Sequence, residues 1–96
     1  MPALRMTRFK VDGADADEMV ARRNALVAAV RQAYPGLTEA RLAKLDEETW
    51  LDMWRWSSRA DAQVALDHVS EIPEAAAAFS LVKDVTAEFA EIVEER

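Results

Sequence analysis

Apolar and polar positions change period repeatedly along the chain, and each change predicts an element. Leu4 to Val11 mixes apolar and basic residues with the β-favouring Thr7, Phe9 and Val11 before Asp12-Gly13 stops it, which predicts a first strand. From Asp15 the step lengthens, with Met19, Val20, Arg23, Leu26, Val27, Val30 and Tyr34 at three- and four-residue intervals. This predicts an amphipathic helix of about five turns, capped by Asp15 or Asp17 and ended by Pro35-Gly36. Leu37 to Leu45 and Thr49 to Ser57 are extended runs joined by the polar Asp46-Glu47-Glu48, an antiparallel hairpin. Ser58 can cap a second helix with Asp61 at its third position and a stripe of Ala62, Ala65, Leu66, Val69 and Ile72. Pro73 lacks a backbone donor and restrains the residue before it, so a break and a short new helix from Pro73-Glu74 through Phe79 are expected. Val85 to Val93 alternates again, with Ala87, Phe89 and Val93 on one side, and forms the fourth strand.

The order β-α-β-β-α-β predicts one α+β domain over residues 1–96: a ferredoxin-like antiparallel sheet with the helices on one face. Such a layout leaves the other sheet face to water. A second copy packed there through a two-fold axis would cover it, so a homodimer is expected.

Composition narrows the function classes. There is no Cys, which excludes disulfides, thiolate catalysis and Cys-ligated metal centres, and fits a reducing, cytoplasmic setting. With one His and no Cys, no metal site is expected. No stretch approaches the roughly 18 apolar residues of a membrane span, and none has the pattern of a leader. The net charge is −6, and residues 49–96 hold four Lys/Arg against ten Asp/Glu. A phosphate backbone needs clustered cations, so nucleic acid is not an expected partner. Only Gly13 and Gly36 exist, both at turns, so no phosphate-cradling loop is present.

The chemistry-bearing segment is Trp50-Leu51-Asp52-Met53-Trp54-Arg55-Trp56. Alternation along a strand puts Trp50, Asp52, Trp54 and Trp56 on one face, so every tryptophan and one carboxylate share a ridge. Large aromatics in a row serve as core or interface anchors, or they form the wall of a site for a flat apolar aromatic ligand. A carboxylate on such a face must be paired or carry a raised pKa; Arg8, Arg41 and Arg55 are its candidate partners, and unpaired in a pocket it would be a candidate base. His68, the only histidine, lies on the following Ala-rich helix as a second candidate for proton transfer.

The strand end Trp54-Arg55-Trp56-Ser57-Ser58, followed by an acidic, Ala-rich helix carrying His68, resembles the antibiotic biosynthesis monooxygenase group, and the element order matches along nearly the whole chain. That resemblance implies a ferredoxin-like subunit, a dimeric α/β barrel, and oxidation of an aromatic, quinol or polyketide-like substrate without a cofactor. Taken together with the strand reading above, it leaves Asp52 and His68 as the catalytic candidates and Trp50, Trp54, Trp56, Arg8 and Arg41 as the substrate-binding ones. His68 lies twelve residues after Trp56, about one helical turn later than in the group. Haem-degrading relatives use a first-strand Asn; Leu4 to Val11 has none, so haem degradation is not expected. The alternative to an enzyme is a non-catalytic dimeric module of the same fold that binds a small molecule or a partner.

Overall fold

The computed structural model describes residues 1–96, with strands β1 (Ala3–Lys10), β2 (Leu37–Lys44), β3 (Thr49–Trp56) and β4 (Lys83–Glu91). Three helices connect them: α1 (Ala16–Ala33), α2 (Arg59–His68) and α3 (Pro73–Phe79). The strands form one open antiparallel sheet in the order β2-β3-β1-β4. This is the ferredoxin-like βαββαβ arrangement predicted from the period changes. No helix is long and apolar enough to cross a membrane.

Local chemistry sets the element ends. Tyr34 precedes Pro35, which disfavours helical backbone; it sits at φ −133°, ψ 86° and closes α1. Ser58 accepts a hydrogen bond from the Asp61 amide at 3.0 Å and caps α2, as its spacing predicts. Gly36 lies against that first turn: a Cβ there would stand 2.9 Å from the Asp61 Cβ, so only glycine lets the two segments approach. In the β2–β3 turn, Asp46 accepts hydrogen bonds from the amides of Glu48 and Thr49 at 3.0 and 2.8 Å. Those amides hold its carboxyl below the usual carboxylate range.

Pairing aligns the side chains that matter. Trp56, Trp54, Asp52 and Trp50 lie opposite Ala3, Arg5, Thr7 and Phe9 of β1, and Arg5 and Thr7 lie opposite Phe89 and Ala87 of β4. This is the face the helices cover. Its core is divided. One buried cluster holds Leu26, Val27, Val30, Leu37, Trp56, Ala62, Ala65, Ala75 and Ala78; a second holds Phe9, Val11 and Met19. Helices α2 and α3 present mainly alanine to the sheet. Small side chains there leave the middle of the face unfilled.

The opposite face carries Leu4, Met6, Leu51 and Met53, all half-buried, with no helix over them. The segment after β4 returns across one end of it: Arg55 donates to Glu95 through Nε at 2.6 Å and through its second terminal nitrogen at 2.7 Å. Arg55 also bonds the Thr38 hydroxyl at 2.7 Å, which fixes its role as structural.

Candidate functional site

Between the two core clusters lies a cavity of about 330 Å³. Its apolar wall comes from Met19 and Leu26 of α1, Leu66 of α2, Phe79 at the end of α3, and Trp54 and Val85 on the sheet. Polar groups enter from Arg5, Thr7, Arg23 and Asp52. Phe79 and Val85 are about half exposed, so the mouth opens between α3 and the edge strand β4.

The three tryptophans divide between structure and site. Trp56 is fully buried in the larger cluster, and Trp50 packs on the Phe9, Val11 and Met19 cluster with the Lys44 ammonium 5.6 Å from its ring. Only Trp54 lines the cavity; its ring lies 6.4 Å from that of Trp56, tilted by 37°. Its position between anchored Trp56 and the open space suits stacking on a flat ligand.

Asp52 is buried, and its partner is Arg23 of α1. Arg23 donates through Nε to both carboxylate oxygens at 3.3 and 3.2 Å and through a terminal nitrogen to Oδ1 at 2.9 Å. Its remaining terminal nitrogen bonds Asn24 Oδ1 at 3.0 Å. The side chains are 13% and 10% exposed, so this is a forked pair with little solvent around it.

The partners expected for Asp52 require correction. Arg8, Arg41 and Arg55 occupy alternate positions of β1, β2 and β3 and stand on the opposite face of the sheet. A strand cannot bring them to the cavity, because neighbouring side chains alternate faces. Arg8 and Arg41 are exposed there, outside the cavity wall. His68 also lies outside it: at the exposed end of α2, its Nδ1 is 3.3 Å from Glu71 Oε2. Leu66 and Val69 on the same segment face the cavity instead.

Sequence reasoning missed Arg23, Arg5 and Thr7. A signal for Arg23 was present, since it is the one charged residue in the apolar stripe of α1. A cation on a core-facing stripe requires an anion across from it, and Asp52 is the carboxylate on the facing strand.

No family model matches this chain, and no curated protein matches it in sequence. Solved structures do match its fold. SnoaB from Streptomyces nogalater, a cofactor-independent oxygenase solved as a point mutant, superposes with a TM-score of 0.81 at 19% identity, over 98% of this chain and 95% of its own. A candidate antibiotic biosynthesis monooxygenase from Caulobacter crescentus gives 0.79 at 19% identity, over 97% and 91%. A variant of MhuD, solved with two manganese protoporphyrin IX molecules per active site, gives 0.69 at 17% identity, over 98% and 97%. The chain therefore has the ferredoxin-like fold found in proteins of the antibiotic biosynthesis monooxygenase type.

Proposed function

We propose that this protein is a small monooxygenase that oxidises an electron-rich hydroxylated aromatic, of quinol or polyketide type, in the cavity beneath the sheet. The observation that carries this is the buried Arg23–Asp52 pair at the polar end of an otherwise apolar cavity, beside Trp54. The fold shared with SnoaB, a cofactor-independent oxygenase, supports it by analogy.

The chemistry requires a substrate that supplies its own electrons. A phenolic O–H placed against Asp52 transfers its proton to the carboxylate, and the electron pair stays on oxygen and spreads into the ring. Arg23 then turns its N–H groups to the new phenolate, which is negative where Asp52 was before. The electron-rich ring takes one oxygen atom from O2 and the other leaves as water, so a dihydroxynaphthalene becomes a hydroxynaphthoquinone. Trp54 and the aliphatic walls hold the ring plane and limit water.

Oxygen uptake with a dihydroxynaphthalene checks this. One O2 per substrate is expected, with Asp52→Asn lowering kcat by roughly 10²–10⁴-fold and His68→Ala leaving it within about twofold. Unchanged turnover in Asp52→Asn would remove the proposal. The second reading is a binding module, favoured by the fact that both Asp52 oxygens are already engaged by Arg23. Tight binding of the diol without oxygen uptake would select it.

We also infer that a second copy covers the outer face of the sheet. The apolar Leu4, Met6, Leu51 and Met53 on a face without helices support this. Sedimentation velocity at micromolar concentration should give twice the 10.7 kDa chain mass. A stable monomer under those conditions refutes it.

A further inference from the structure

We propose that the cavity's ligand is an aromatic acid whose carboxylate is held by Arg5 and Arg59. This rests on the cavity being the ligand site, and adds what that ligand must carry. Arg5 lies in register between Trp54 and Phe89, so the three side chains form a row across β3, β1 and β4. The Arg5 guanidinium carbon is 4.7 Å from the centroid of the Phe89 ring. That of Arg59, exposed on the first turn of α2 and outside the cavity wall, is also 4.7 Å from the same centroid, which brings it to the side of Arg5. The two cations are therefore at most twice that distance apart.

Neither forms an ion pair. Exposed arginines without partners are ordinary, and Arg8, Arg31 and Arg41 are of that kind. Arg5 is different: it is half-buried, lines the cavity, and forms no ion pair in a chain with net charge −6, the cavity's one carboxylate, Asp52, being taken by Arg23. Arg59 adds a like charge beside it, at a helix start where a cation is unfavourable. Both guanidinium groups lie over the Phe89 ring, and neither donates a hydrogen bond within the chain, so their N–H groups remain available to a ligand. Two such groups match one planar carboxylate.

The second polar end of the cavity is Asp52, opposite Thr7 and so two residues along β1 from Arg5 on the same face. Two residues of strand span roughly 7 Å, a separation suited to a fused two-ring aromatic with an acid at one end and a hydroxyl at the other. Such a molecule would place its ring on Trp54, its hydroxyl at Asp52 and its carboxylate at the arginines.

The test compares 6-hydroxy-2-naphthoate with its uncharged isostere 6-hydroxy-2-naphthamide by calorimetric titration at low ionic strength. The acid should bind at least about tenfold more tightly, and added salt should shrink the difference. R59Q, at an exposed position, should reduce that advantage, and R5Q/R59Q should abolish it, so that acid and amide bind the double variant equally; melting curves verify folding. Equal affinity of acid and amide for the unaltered protein overturns the acid requirement and leaves the cavity as a ligand site. An advantage that survives in the double variant overturns the assignment to these arginines. Failure of both compounds to bind at millimolar concentration overturns the acid requirement and the ligand site together.

Discussion

Asp52→Leu and Arg23→Met should each cost about 3 kcal/mol of stability or more, whereas the two together should cost less than about 1 kcal/mol. Both side chains sit almost entirely out of solvent, one on the sheet and one on α1. Removing the carboxylate leaves a guanidinium in an apolar cavity with one neutral acceptor, Asn24; removing the guanidinium leaves a carboxylate with nothing to replace water. Replacing both removes two desolvated charges and adds apolar surface to a space lined by Met19, Leu26 and Trp54. In a chain of this size, 3 kcal/mol lowers Tm by roughly 12–24 °C, well within reach of circular dichroism. Singles that lose under about 0.5 kcal/mol would mean that water reaches the pair freely, as at an ordinary surface bridge.

This non-additivity bears on function as well as stability. An ion pair buried beside a cavity is a weak device for holding a fold, since apolar residues of similar volume do as well or better. Under the proposed function, a ligand exchanges contacts with both partners, which gives the pair a role beyond holding the fold. On that account the double variant is stable and inactive, a combination that structural pairing alone does not predict.

The fold was legible because period changes are large-scale signals: the helix stripe from Met19 to Val30, the turn at Asp46 and the cap at Ser58 all appear where spacing and side-chain chemistry place them. The shared face of Trp50, Asp52, Trp54 and Trp56 was legible for the same reason, being a consequence of strand alternation. What alternation cannot supply is depth. Trp56 is in the core and Trp54 at a void because alanines of α2 and α3 fill one region and leave the next, which depends on how helices settle on the sheet. The partner of Asp52 came from the helix above it, 29 residues earlier in the chain, while proximity within the sheet pointed to arginines on its far side. Arg5 could have been found by the same alternation, since it shares a face with Thr7 and Phe9. Its significance depends on the approach of Phe89 and Arg59, which only the folded chain shows.

The second large effect concerns the cavity itself. Ala87 lies on β4 directly across from Thr7, is exposed, and lines the cavity. A tryptophan there would project its indole into a space of about 330 Å³ next to Asp52, on a strand position that tolerates aromatics. Because the site is open rather than packed, the substitution should leave stability within about 0.5–1 kcal/mol of the parent, or raise it by burying the ring. Ligand binding should suffer instead. Calorimetric titration of a dihydroxynaphthalene into Ala87→Trp is thus the most direct test of the claim that this cavity is the ligand site. Affinity lower by about a hundredfold with an unchanged melting curve is the predicted result, and undiminished affinity would contradict it.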